Sequence, residues 1–122
     1  MEGWMEKAER YRSYARRGFE DGAYDLACFL AQQSAEFLLK ALLIREVGAR
    51  PLTHSLHEMV KRFAQLRGEE PPEDVARCAK SLEEHYVQAR YPDARVGPYE
   101  RWEAEECLRC MEALWRWTGG SR

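Results

Sequence analysis

The run from Ala31 to Ile44, AQQSAEFLLKALLI, is apolar nearly all round, yet it sets Glu36 and Lys40 one helical turn apart. A helix without a polar face has to be surrounded by other helices. A carboxylate four residues ahead of an ammonium lies on the same side and pairs with it in the favoured order. The chain is therefore constrained to a bundle with this segment at its centre. By composition the pair reads first as a rim salt bridge, a common and weak kind of contact. The other reading is a polar site set into the core.

Hydrophobic spacing predicts five helices and no strand. The first covers about 2–18, with Trp4, Ala8, Tyr11 and Ala15 on one face. The second covers about 23–47, closed by Gly48 as a left-handed terminator. The third starts at Ser55, which forms a capping box with Glu58, and buries Leu56, Met59, Val60 and Phe63. The fourth opens at Glu73 after two prolines and buries Val75, Cys78 or Ala79, Leu82, Tyr86 and Ala89. It must stop near Arg90, because Pro92 disfavours helix at Tyr91. Pro98 suits the first position of the last helix, which carries Ala104, Leu108, Met111 and Trp115 and ends at Gly119 and Gly120. Short links between long amphipathic helices predict an all-α, up-and-down bundle. At 122 residues the chain makes one domain, 1–122.

Several classes are set aside. No apolar run approaches the roughly 18 to 20 residues of a membrane span, since Lys40 interrupts the longest. The N-terminal stretch has no signal-peptide core, so a cytoplasmic protein without a membrane partner is expected. Net charge is −2, which provides no global field for nucleic acid. Arginine far outnumbers lysine and asparagine is absent, a heat-adapted leaning. Cys28, Cys78, Cys107 and Cys110 fall at small or apolar helical positions and read as reduced core residues. Cys107 and Cys110 form a C-x-x-C inside a helix, but a zinc knuckle needs a second close pair, so no metal and no cofactor is expected. Phosphate loops, zinc-protease motifs and serine elbows are missing.

Two loop features add to the Glu36/Lys40 pair. His54 precedes the third helix, where the helix dipole disfavours a cation, so it reads as a hydrogen-bonding group or a packed residue before the cap. Arg90-Tyr91-Pro92-Asp93 puts a guanidinium beside an aromatic ring in a rigid turn. That combination is either a helix stop with a local ion pair or a reader of phosphate and base.

Together these segments resemble the HEPN domain family, "higher eukaryotes and prokaryotes nucleotide-binding". The run GFEDGAYDLACFLAQQSAEFLLKALLIREVG carries the family's Glu-x-x-x-Lys core at Glu36 and Lys40, followed by HSL at His54 to Leu56 and RYPD at Arg90 to Asp93. The resemblance implies a compact helical bundle, a homodimer and, for many small prokaryotic members, action beside a minimal nucleotidyltransferase in a toxin–antitoxin pair. Other members are metal-independent RNases that use an arginine followed four to six residues later by histidine near the start of a late helix. Here the positions after Arg90 hold Arg95, Val96 and Gly97, and no histidine follows Arg101 or Arg109. Arg50 and His57 fit the spacing, but they lie in the wrong link and read as a coincidence.

The leading expectation is therefore a binding module for a nucleotide or RNA, or a docking partner. Arg90, Tyr91, Asp93 and His54 would line one site, with Glu36 and Lys40 beneath it. The alternatives are an RNase with a variant set, Arg90 with His54, and a purely structural dimer. Trp4, Tyr11, Trp102, Trp115 and Trp117 exceed what a small bundle readily buries, which points to an apolar interface.

Overall fold

The computed structural model describes residues 2–120. Among them it has α1 (Glu2–Glu20), α2 (Tyr24–Val47), α3 (Leu56–Leu66), α4 (Glu73–Glu83), a single turn α5 (His85–Gln88), a 3-10 turn (Pro92–Ala94) and α6 (Arg101–Thr118). The fold is all-α, with five main helices and no strand among the described residues; α5 is the broken-off end of the fourth.

α2 is the axis. Ala27, Cys28, Ala31, Ala35, Leu38, Leu39, Leu42 and Leu43 are buried in the core that α1, α3 and α6 close around it. α1 runs antiparallel to α2: Ser34 Oγ donates to Ala8 O at 2.9 Å, and Phe37 packs on the half-buried Trp4 and Tyr11. α6 does not follow a simple alternation. Cys28 meets Cys107, and Trp115 Nε1 donates to Ser34 Oγ at 3.0 Å, so α2 and α6 ascend together. The reversal is made by the link 48–55, which runs back along α2 until His54 stands beside Glu36 and Lys40.

Several local expectations change for identifiable reasons. Gly48 ends α2 at φ 78°. Ser55 Oγ accepts from Glu58 N at 3.1 Å, but the box is only half formed. The Ser55 amide donates to Thr53 Oγ1, and the Glu58 carboxylate accepts from Arg62. The fourth helix is interrupted at Glu84 and resumes as α5, so it still stops just before Arg90. Beyond the break His85 reaches Tyr99, while Tyr86, expected in the core, touches Phe29 with one side of its ring and stays exposed. Pro98 stays outside α6, whose start is set three residues later by a complete capping box between Glu100 and Glu103. By length and composition α2 does meet the measure of a membrane span, although most of it is buried inside the bundle. The aromatic surplus is smaller than the count implies. Trp115 is core and Trp117 packs edge-on against Phe63, leaving Trp102 as the exposed tryptophan at 67%.

The cysteines are paired, not reduced. Cys28 on α2 joins Cys107 on α6, and Cys78 on α4 joins Cys110 on α6. Cys107 and Cys110 lie one turn apart, so one face of α6 meets α2 and α4 at once. The pairing replaces the expected reduced core cysteines and leaves the compartment open, since disulfides mark oxidising compartments and also heat-adapted intracellular proteins. The bridges close segments separated by 79 and 32 residues, each worth roughly 4 kcal/mol in the chain-entropy account. They overlap, so the two values do not add. Reducing the protein with a phosphine is expected to lower its melting temperature by at least about 10 °C, at a few degrees per kcal/mol. Coincident melts for the oxidised and reduced samples would show that the bridges do not form in solution.

Candidate functional site

Glu36 and Lys40 are buried, 7% and 4% exposed, so the rim reading fails. Lys40 Nζ donates to Glu36 Oε2 at 2.8 Å, and Gln32 Nε2 donates to Glu36 Oε1 at 2.9 Å. His54 Nδ1 stands 3.1 Å from Glu36 Oε2 and 2.9 Å from Lys40 Nζ. The histidine itself is exposed, its side chain 78% accessible. Its Nε2 has no protein partner among the described residues. Burial alone would push the Glu36 carboxyl up, but the hydrogen bonds from Lys40, Gln32 and His54 outweigh it and hold the group below the ordinary carboxylate range. Trp4 closes the assembly from α1, its ring 6.0 Å from Lys40 Nζ and 5.8 Å from the Arg50 guanidinium carbon.

Arg90 and Tyr91 lie elsewhere. They line an open cleft of about 650 Å³ with Tyr24, Asp25, Arg95 and Tyr99. Asp25 and Glu36 are eleven residues apart on α2, about 16 Å along its axis. The structure thus separates the expected residues into two places: His54, Glu36 and Lys40 in one, Arg90 and Tyr91 in the other. Asp93 sits exposed in the 3-10 turn and does not line the cleft.

The exposed Arg90 guanidinium lies 4.8 Å from the Tyr86 ring and 5.3 Å from the Tyr91 ring, and it has no acidic partner among the described residues. Arg95 stacks on Tyr99 at 3.8 Å. Its Nη2 bonds both oxygens of Glu103, while its Nε and Nη1 are buried with no hydrogen-bond partner. Behind Tyr99 is His85, whose Nδ1 shares a 2.6 Å hydrogen bond with the tyrosine hydroxyl. Burial pushes the His85 imidazole below its ordinary value and raises the Tyr99 phenol. Sequence reasoning missed Tyr24, Arg95, Tyr99 and His85 as a group. Arg95 and Tyr99 lie just past a recognisable arginine motif, which was a usable signal; Tyr24 and His85 have no local signature.

The HEPN domain profile matches residues 1–121. Among solved structures, the chain is similar to TT1696 from Thermus thermophilus, at 33% identity and a TM-score of 0.79, covering 98% of this chain and 95% of that one. It is also similar to ST0689, an archaeal HEPN homologue, at 33% identity and a TM-score of 0.76, with coverage of 98% and 94%. A HEPN domain protein from Thermotoga maritima shares the fold at 24% identity and a TM-score of 0.73, covering 97% and 95%. No curated protein matches the chain.

The buried pair makes a test of its own. Lys40→Met leaves a buried carboxylate without its ammonium, and at neutral pH is expected to cost about 3 kcal/mol. Because the folded pKa of Glu36 is depressed, its contribution is complete above the unfolded value, near 4.5. It disappears as pH falls through the folded value. The gap in chemical-denaturation stability between parent and variant should therefore narrow below that pH. A gap that stays constant down to pH 3 would remove Glu36 as its source.

Proposed function

The chain belongs to the HEPN domain family, and on that footing we propose that it is a nucleotide- or RNA-binding domain that works as the companion of a minimal nucleotidyltransferase. The observation that carries this reading is the cleft holding Arg90 and Arg95. The Arg90 guanidinium is exposed without an acidic partner among the described residues, and Arg95, held by Glu103, adds positive charge to the same wall. Groups of that kind fit a phosphate. Tyr24, Tyr91 and Tyr99 in the same walls offer aromatic faces for a base.

Arg90 is well placed for a separation of binding from folding, because among the described residues it makes no ion pair that the fold would lose. Arg90→Ala should weaken binding of a fluorescent mixed-sequence RNA by about 1.5 to 3 kcal/mol, the value of a charge-assisted bond. The melting temperature should hold. Unchanged affinity in the variant would remove the cleft from the binding reading. A homodimer fits this role, with Trp102 and Leu26 as exposed apolar side chains to cover. Sedimentation of the same samples reads it directly, and a monomer at tens of micromolar would exclude it.

A second reading has one observation in its favour. Glu36 and Lys40 both reach Nδ1 of an exposed histidine, and the tautomer that donates Nδ1–H to Glu36 would leave Nε2 as a general base. The matching arginine is the difficulty. Within one protomer Arg90 lines the cleft with Asp25, and His54 does not, so an Arg90–His54 pair requires a second copy. Purified protein is expected to leave a mixed RNA intact without metal at pH 6 to 8. Cleavage abolished by His54→Ala would make this a variant RNase instead.

A further inference from the structure

The cysteine pairing leaves one side chain unexplained. His85 opens α5 beside the Cys28–Cys107 bridge. One of its ring nitrogens and the two sulfurs all lie within 4.8 Å of one another. Among the described residues, this is the one such grouping of three potential metal ligands. The three residues come from three elements: Cys28 from α2, Cys107 from α6 and His85 from α5. The Cα atoms of Cys28 and Cys107 are 5.3 Å apart, so both thiols of the reduced pair face the same small volume.

We propose that, when the Cys28–Cys107 disulfide is reduced, Cys28, Cys107 and His85 form a zinc site, so that metal and disulfide are alternative occupants of one position. Two thiolates and an imidazole are a soft donor set of the kind that selects zinc over oxygen-seeking cations. Two thiolates also neutralise a divalent ion in a region where an unbalanced charge is costly. Tyr99 completes the design. Its hydroxyl occupies His85 Nδ1, which leaves Nε2 for the metal and fixes the ring's orientation, as outer hydrogen bonds do for zinc-bound histidines. Glu103 is close but not free. Its carboxylate is held by Arg95 and by the Glu100 amide. The fourth position therefore goes to water or to an added ligand.

The exchange balances with a dithiol as reductant. The dithiol gives two electrons and two protons to the Cys28–Cys107 bond and becomes a disulfide itself. The two cysteine thiols then each release a proton as zinc takes both sulfurs. The second bridge takes no part, because Cys78 and Cys110 have no histidine or third ligand in a comparable group among the described residues. The site stands independently of the RNA-binding reading.

Cobalt titration of the full chain tests it, with reduction by a phosphine under argon, since a phosphine carries no competing thiol. The reduced protein should take up one Co²⁺ per chain, with sulfur-to-cobalt charge transfer and tetrahedral ligand-field bands that added Zn²⁺ abolishes. The oxidised protein should take up none. Cys78→Ser/Cys110→Ser should bind as the parent does. His85→Ala, which leaves both cysteines in place, should lose the tetrahedral bands, and Tyr99→Phe should weaken the Kd by about 10- to 100-fold, as other outer hydrogen bonds to zinc-bound histidines do. Circular dichroism of each reduced sample checks that it remains helical. Folded reduced parent that binds no cobalt would overturn the proposal. So would a His85→Ala variant that binds with the parent's affinity and spectrum, or a reduced parent that loses its helices before it binds metal.

Discussion

The structure hangs on a buried ion pair in the middle of an otherwise apolar helix. Lys40 and Glu36 cannot leave α2, and neither can remain unpaired inside the bundle without a cost of several kcal/mol. His54 and Gln32 take up the remaining capacity of the carboxylate. To deliver His54, the link after α2 has to fold back along the helix it has just left. That return fixes the start of α3. Ser55 and the His57 amide then both donate to Glu83, which sets where α4 ends. The helix ladder is interrupted there without a change of backbone region, α5 follows, and His85 comes to rest on Tyr99. The cleft walls at Tyr99 and Arg95 are thus placed by a sequence of contacts that starts at one carboxylate on α2.

How much of this could be read from the residues depends on the range of the interaction. The stripe Leu56, Met59, Val60 and Phe63 and the terminator Gly48 are local, and both are where periodicity and backbone preference put them. The Glu36–Lys40 pairing is local too, but its burial is not; i, i+4 spacing is identical on a rim and in a core. The break at Glu84 and the late start of α6 were illegible from preference alone. At the first, His85 and Tyr86 find distant partners; at the second, a Glu100–Glu103 box outweighs a proline that would also have served. The disulfides were missed for a related reason. Cys107 and Cys110 are neighbours in sequence but point to different helices, so a spacing rule for paired cysteines describes the wrong pair.

The candidate site shows the same division. Its rim, Arg90 and Tyr91, carries a visible motif. Its depth, Arg95, Tyr99 and Tyr24, is assembled from a link and the far end of α2. Sequence reasoning joined His54 to Arg90 because both are polar and near helix ends. The helix rise separates them, since Asp25 at the cleft and Glu36 at the pair are three turns apart. An aromatic cleft with one exposed guanidinium and an exposed histidine on a buried carboxylate are two distinct chemical resources on one small bundle.

The covalent bridges divide the helices unequally. α6 is tied to α2 and to α4, and the longer loop, from Cys28 to Cys107, encloses everything from the first third of α2 to the start of α6. α1 lies outside both loops. It is held by the Ser34–Ala8 hydrogen bond, by Arg12 and Arg16 on Glu112, and by Trp4 and Tyr11 against Phe37. Small proteins open in cooperative pieces of unequal stability, and here the seam between pieces runs along α1. Its amides are expected to exchange with solvent ahead of those in α2 and α6, and an opening of α1 would uncover Phe37 and the Trp4 side of the Lys40 pocket while the cross-links still hold the remaining helices together.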